Sequence, residues 1–276
     1  MNLEERVVSW VDLGLTYVDE VRKLQEELVE LREDGKIGDV ILATQHYPVI
    51  TFGSTERDNL FSDEFLQEVI SKRGVHYTEG DIIELLREKG IGFVRSNRGG
   101  GAGAVSPGQY LYYPIVNFPE IVGKKDIGIY KSKIYRIMFN SLRDLGIEGV
   151  NTGSQEEFET RRERKDAWIN RDGRVLKMGS KALRYKGNVV YYGFSLFIKR
   201  EGNANGWMVN TCGYHPSEVE IGSVEEELEG YVPENVHDIV QNNFLQNFDY
   251  CKINEVGFED LKNMIRDSKI KEIIVR

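Results

Sequence analysis

Cysteine is scarce in this chain, with two residues in 276. That is too few for a disulfide framework and predicts a reducing, cytoplasmic setting. No apolar run approaches the roughly 20 residues a helix needs to cross a bilayer, so no membrane association is expected. The first residues, Met1-Asn2-Leu3-Glu4-Glu5-Arg6, are charged and lack a signal-peptide core. Positive charge is in deficit as well, and a formal net charge of −9 argues against nucleic acid as a partner. Internal repeats and low-complexity segments are absent. So are the G-x-G-x-x-G fingerprint and a Walker lysine, which leaves no sequence signature for a dinucleotide or a nucleoside triphosphate.

What is there reads as an ordinary globular chain, 40% apolar, long enough to bury a full core. Residues 7–15 read as a strand. Tyr17, Val21, Leu24, Leu28 and Leu31 form one face of a helix over 17–32. Strands are expected at 39–43, 46–53, 91–94 and 110–118, and helices at 62–71 and 126–145. Residues 74–89 are charged and carry no clear pattern. A hairpin over 168–176 turns at Arg171-Asp172-Gly173, a loop of small residues follows over 177–182, and two more strands cover 183–185 and 189–198. Helical patterns close the chain at 224–246 and 257–267. Strands and helices mix without regular βαβ alternation, which predicts an α+β fold with a mixed or antiparallel central sheet flanked by helices.

Four features carry chemistry. The stretch Arg98-Gly99-Gly100-Gly101-Ala102-Gly103-Ala104-Val105, closed by Pro107-Gly108, offers bare backbone N–H groups and close backbone approach, or else is a plain hairpin connection. Cys212 stands between Thr211 and Gly213 with no metal-ligand partner spaced near it, whereas Cys251 sits in an ordinary structural context. A nucleophilic thiol needs a neighbouring cation to hold it as thiolate, which Lys177 or Lys181 would supply; the alternative is a buried, inert thiol. From residue 161 to 186 there are ten basic residues against three acids, read either as a solvated hairpin or as a docking patch for an acidic partner. His46 is expected to be a structural residue at a turn.

Taken in order, these segments resemble one family. The matching residues are Gln45-His46-Tyr47-Pro48-Val49-Ile50-Thr51-Phe52-Gly53, Arg98-Gly99-Gly100 with Pro107-Gly108-Gln109 and Tyr113-Pro114, Ala167-Trp168-Ile169 with Gly173-Arg174 and Lys177, and Asn210-Thr211-Cys212-Gly213-Tyr214. Their order and spacing are similar to those of the lipoyl(octanoyl) transferases, within the biotin/lipoate protein ligase fold, over about residues 5–220. The resemblance implies a catalytic domain over 1–222 and a helical C-terminal extension over 223–276. It implies an acyltransferase that takes an octanoyl group from octanoyl-acyl carrier protein, holds it as a thioester on Cys212 with Lys177 activating the thiol, and passes it to a lysine of a lipoyl domain. The acceptors implied are the lipoyl domains of 2-oxoacid dehydrogenase E2 subunits and the glycine cleavage H protein. The acyl site would be lined by Arg98 to Val105, by Ser180, Lys181 and Ala182, and by Gly193, Phe194 and Ser195. No cofactor and no metal are implied, because moving an acyl group from thioester to amine runs downhill. The chain departs from the family pattern at Gly103, where threonine is usual, and at Val105 and Tyr192, where histidines are usual, so a divergent member is expected. Two other readings remain: an ATP-dependent lipoate–protein ligase of the same fold, and a non-catalytic protein that binds acyl groups or lipoyl domains.

Overall fold

The structure, a computed structural model, describes residues 6–54, 60–150, 166–210 and 219–275. In chain order the elements are β1 (Val7–Thr16), α1 (Val18–Glu33), β2 (Asp39–His46), β3 (Val49–Phe52), α2 (Asp63–Arg73), α3 (Glu79–Glu88), β4 (Gly92–Arg95), β5 (Ala102–Val105) and β6 (Gln109–Asn117). There follow α4 (Phe118–Val122), α5 (Ile127–Asp144), β7 (Ala167–Arg171), β8 (Arg174–Lys186), β9 (Val189–Phe197), β10 (Glu220–Ile221), α6 (Val224–Glu227), α7 (Val236–Phe248), β11 (Lys252–Glu255) and α8 (Phe258–Val275).

An eight-stranded mixed sheet runs β10-β8-β9-β6-β2-β1-β11, with β7 added on β8. A second sheet of three strands, β4-β3-β5, stands beside it. Both faces of the large sheet are covered, which is why the central strands β2 and β9 read as nearly continuous apolar runs. On one face, Trp10, Ile41, Tyr112 and Phe194 pack against Ile134 and Met138 of α5 and Phe244 and Phe248 of α7. On the other, Val40, Leu42 and Tyr191 meet Val21 and Leu28 of α1 and Leu261 and Ile265 of α8. The small sheet has a core of its own, with Ile50 and Phe52 against Phe65 and Val69 of α2 and Leu85 and Leu86 of α3.

Local signals account for the boundaries. Ser62 caps α2 by accepting from the Phe65 N–H, Asp126 caps α5 through the Gly128 N–H, and Thr78 with Asp81 closes a capping box on α3. That box stands in the segment 74–89, whose charge hid an amphipathic helix. Asp172 (φ 51°) and Gly173 (φ 80°) make the left-handed two-residue turn expected between β7 and β8.

Four expectations need correction. Residues 177–182 are not a loop but the middle of the long strand β8, where pairing with β7, β9 and β10 overrides the poor strand propensity of Gly179 and Ser180. The stretch 98–105 is only half loop, because residues 102–105 form β5 against β3. The pattern over 224–246 is two helices, broken where Glu229 (φ 54°) and Gly230 (φ 94°) enter the left-handed region. Residues 223–276 also contain a strand, β11, which extends the large sheet in parallel beside β1.

Candidate active site

Between the α1 face of the large sheet and the loop before β5 lies a cavity of about 530 Å³. Strands β6, β8 and β9 form its floor, and Leu111, Ser195 and Ser180 make one cross-strand row over it. Val18, Arg22 and Gln25 of α1 and Lys131 and Tyr135 of α5 complete the wall. The structure gathers here every site residue expected from the sequence except one. Lys177, Arg98 through Val105, Ser180, Lys181, Ala182, Gly193, Phe194 and Ser195 all line the cavity. Cys212 lies outside the described residues.

The loop over 98–101 is folded around its own arginine. Arg98 donates through Nη1 to the Gly99 carbonyl and through Nη2 to the carbonyls of Gly101 and Thr51 and the Thr51 hydroxyl, at 2.8–3.1 Å. Turning those carbonyls toward the guanidinium fixes the orientation of the peptide planes, and with it the N–H groups of the loop. Gly53 lies so close beneath that a Cβ there would come within 2.3 Å of the Gly100 carbonyl oxygen. Gln45 accepts from the Gly108 N–H at 2.7 Å and ties down the turn that follows.

Lys177 is buried in β8, with its Nζ 2.9 Å from Asp166 Oδ2, and both side chains are at most 3% exposed. A buried ammonium requires such a partner, because desolvation of an isolated charge is prohibitive. The second oxygen of Asp166 accepts from the Lys181 N–H at 3.0 Å, so the carboxylate is held to β8 at two points. The indole of Trp168 lies 5.7 Å from Lys177 Nζ. Sequence reasoning missed Asp166, which it counted only as one of three acids in a basic stretch. Its signal was its position just before the Ala167-Trp168 strand that pairs with β8.

The two positions where family histidines are usual hold other groups. Val105 is buried and pairs with Val49. Tyr192 has a left-handed backbone (φ 55°), unusual for a bulky residue and held by the buried Gln25, which accepts its N–H at 3.0 Å. Its hydroxyl donates to Asn97 at the start of the glycine loop, and burial pushes the phenol up to about 12. Among the described residues the imidazole lining the cavity is that of His46, whose ring bridges Thr16 (Nδ1 to Oγ1, 3.1 Å) and the Tyr113 hydroxyl (Nε2 to Oη, 3.0 Å). Desolvation lowers its pKa to about 4, so it is neutral at pH 7. The structural role expected for it holds, and it is in addition part of the cavity wall.

Six of the ten basic residues counted over 161–186 are described, and four of them meet carboxylates. Residues 161–165 lie outside the described ones. Of the rest, Arg171 pairs with Glu227, Arg174 with Glu220, Lys177 with Asp166 and Lys186 with Glu30. Among the described residues no cluster of histidine, cysteine and carboxylate side chains is suited to a metal ion, and no helix is long and apolar enough to cross a membrane.

A cavity of this size, lined by apolar and polar side chains together, is a candidate small-molecule site. The fold around it is that of lipoate-protein ligases. It superimposes on a lipoate-protein ligase A bound with ATP at a TM-score of 0.61, with 12% identity over 95% of this chain and 93% of that one. A bi-partite lipoate protein ligase from Thermoplasma acidophilum gives 0.60, with 13% identity over 95% and 91%. At such identities the likeness is one of fold alone. The sequence goes further: the lipoyl protein ligase A/B catalytic domain matches residues 19–245, and the chain belongs to that family. Its relatives include an octanoyltransferase from Rubrobacter xylanophilus, 29% identical over 84% of this chain and 90% of that protein. Others, from Koribacter versatilis and Acidobacterium capsulatum, are 33% and 36% identical over 51% of this chain. The chain spans about half the length of those two, 49% and 52%.

Proposed function

We propose that this chain is an octanoyltransferase of protein lipoylation, working through an acyl-thioester on Cys212. The observation that carries the reading is the buried Lys177–Asp166 pair in the wall of a cavity floored by Leu111, Ser195 and Ala182 and roofed by the glycine loop. The volume suits a medium-length acyl chain, and the relatives named octanoyltransferase support that acyl group.

In the first half-reaction the Cys212 thiolate, its proton held by Lys177, attacks the carrier-bound thioester; the C–S bond to the carrier breaks and the carrier thiolate leaves with that proton. In the second, the amine of an acceptor lysine attacks the Cys212 thioester: the C–N bond forms, the C–S bond breaks, and one amine proton passes to the departing thiolate. Lys177, as ammonium, balances the thiolate and is the group through which that proton moves. The fixed N–H groups of the loop over 98–105 serve the tetrahedral oxyanion. Octanoyl-acyl carrier protein is the proposed donor. Lipoyl domains of E2 subunits and the glycine cleavage H protein are the proposed acceptors, in the cytoplasm. Octanoyl transfer measured in variants tests this: Cys212→Ser abolishes it while Cys251→Ser retains it, and equal activity of the two variants refutes the thioester. The ligase reading is supported by the fold likeness and the family description; ATP–pyrophosphate exchange dependent on octanoate or lipoate would replace the present one with it.

A further inference from the structure

Gln109 opens β6 at the cavity wall and is only 4% exposed. Its Nε2 donates to Ser195 Oγ at 2.7 Å, a side chain equally buried on the neighbouring strand. That bond fixes the plane of the carboxamide, and Oε1 is left buried with no hydrogen-bond partner. Buried polar atoms are rarely left unmatched, so an orphan acceptor on the wall of a ligand cavity points to a ligand that donates. Gln109 and Lys177 line the same cavity. Gln109 lies opposite Phe197 on β9, and its partner Ser195 lies opposite Ser180 on β8, the strand that carries Lys177.

We propose that Gln109, oriented by Ser195, binds the primary amine of the acceptor. The inference rests on the transferase reading above. An octanoyl chain has no hydrogen-bond donor, so the acyl group itself cannot satisfy Oε1. The attacking amine carries two N–H bonds. One proton leaves to the departing thiolate as the C–N bond forms, and the other remains on the product amide. Oε1 holds the N–H that stays, which leaves the nitrogen lone pair free to attack. An uncharged acceptor suits this task, because a carboxylate in its place would favour the unreactive ammonium form of the amine.

The two half-reactions separate the possibilities. The protein is first loaded from octanoyl-acyl carrier protein and the adduct rate measured; the loaded protein is then mixed with a lipoyl domain. Gln109→Met, close in volume and apolar, is expected to slow the second step by about 10- to 100-fold and the first by less than about twofold, the loss expected for one hydrogen bond made by a substrate. Ser195→Ala, which frees the carboxamide to rotate, slows the second step by a smaller factor and carries the test if the methionine variant does not fold. A second step unchanged in both variants overturns the proposal. So does an equal slowing of both steps, or a slowing of the first alone, which would assign Oε1 to an amide N–H of the carrier's arm. If the unaltered chain forms no adduct at all, the transferase reading has failed and this inference with it.

Discussion

Asp166 and Lys177 are each tolerable inside the protein only because the other is there. Removing the carboxylate leaves an ammonium in a site that is 2% exposed. Asp166→Ala is therefore expected to lose about 3–5 kcal/mol of unfolding free energy, the usual result of breaking a buried pair, and to lose octanoyl transfer with it. Urea unfolding at pH 7 checks the first part. Asp166→Asn keeps an acceptor for the Lys181 N–H and is expected to unfold at higher urea than the alanine variant while still transferring poorly. Lys177 was legible in the sequence from its motif. Asp166 was not, because nothing in the order of residues tells which of three acids a buried lysine will meet.

His46 gives a pH prediction with a definite sign. Its pKa falls from about 6.5 in the unfolded chain to about 4 in the fold, so the unfolded state binds the proton more tightly. Its contribution to stability is complete above pH 6.5 and is lost as pH falls through the window from 6.5 to 4, on the order of 3 kcal/mol in all. His46→Gln, which keeps a hydrogen-bonding side chain but cannot titrate, should flatten that limb. Urea unfolding at pH 7, 5.5 and 4.5 compares the two; parallel curves would mean the ring is already charged in the fold.

At the scale of the element, the floor of the cavity depends on how closely β6 and β9 approach. A Cβ on Gly193 would lie 2.0 Å from the Tyr112 carbonyl oxygen and 2.6 Å from Pro114 Cδ, both of them rigid parts of β6. Gly193→Ala must push the two strands apart, and a loss of about 1–3 kcal/mol is expected, read as a lower thermal midpoint. An unchanged midpoint would mean that the strands part without cost. The pattern of apolar positions announced α1 and α5, which each bury one regular face, and β6 and β9, which are apolar runs buried on both faces. It failed at 102–105 and 177–182, where small residues look like loop and become strand through partners far along the chain. It failed in the opposite sense at 224–246, where an apolar rhythm ran across a left-handed break.

For the whole molecule, the question is how far residues 223–276 are separable from the rest. Phe244 and Phe248 of α7 are fully buried beside Trp10 and Tyr112 of the large sheet, and β11 covers the edge of β1. A chain ending at 222 would expose that face, at about 3–5 kcal/mol for each phenylalanine alone, and is expected to show no cooperative unfolding transition by circular dichroism. A cooperative transition would make the extension a separate unit. At the same scale, three basic residues of the run over 161–186 meet carboxylates from other elements: Arg171 with Glu227, Arg174 with Glu220 and Lys186 with Glu30.

The measurement nearest the centre is intact-protein mass spectrometry after mixing the chain with octanoyl-acyl carrier protein. The predicted result is a single octanoyl adduct, labile to hydroxylamine, mapped to Cys212 and reduced when Lys177 is changed to alanine. No adduct on a folded chain, or one confined to the exposed Cys251, would contradict thioester catalysis.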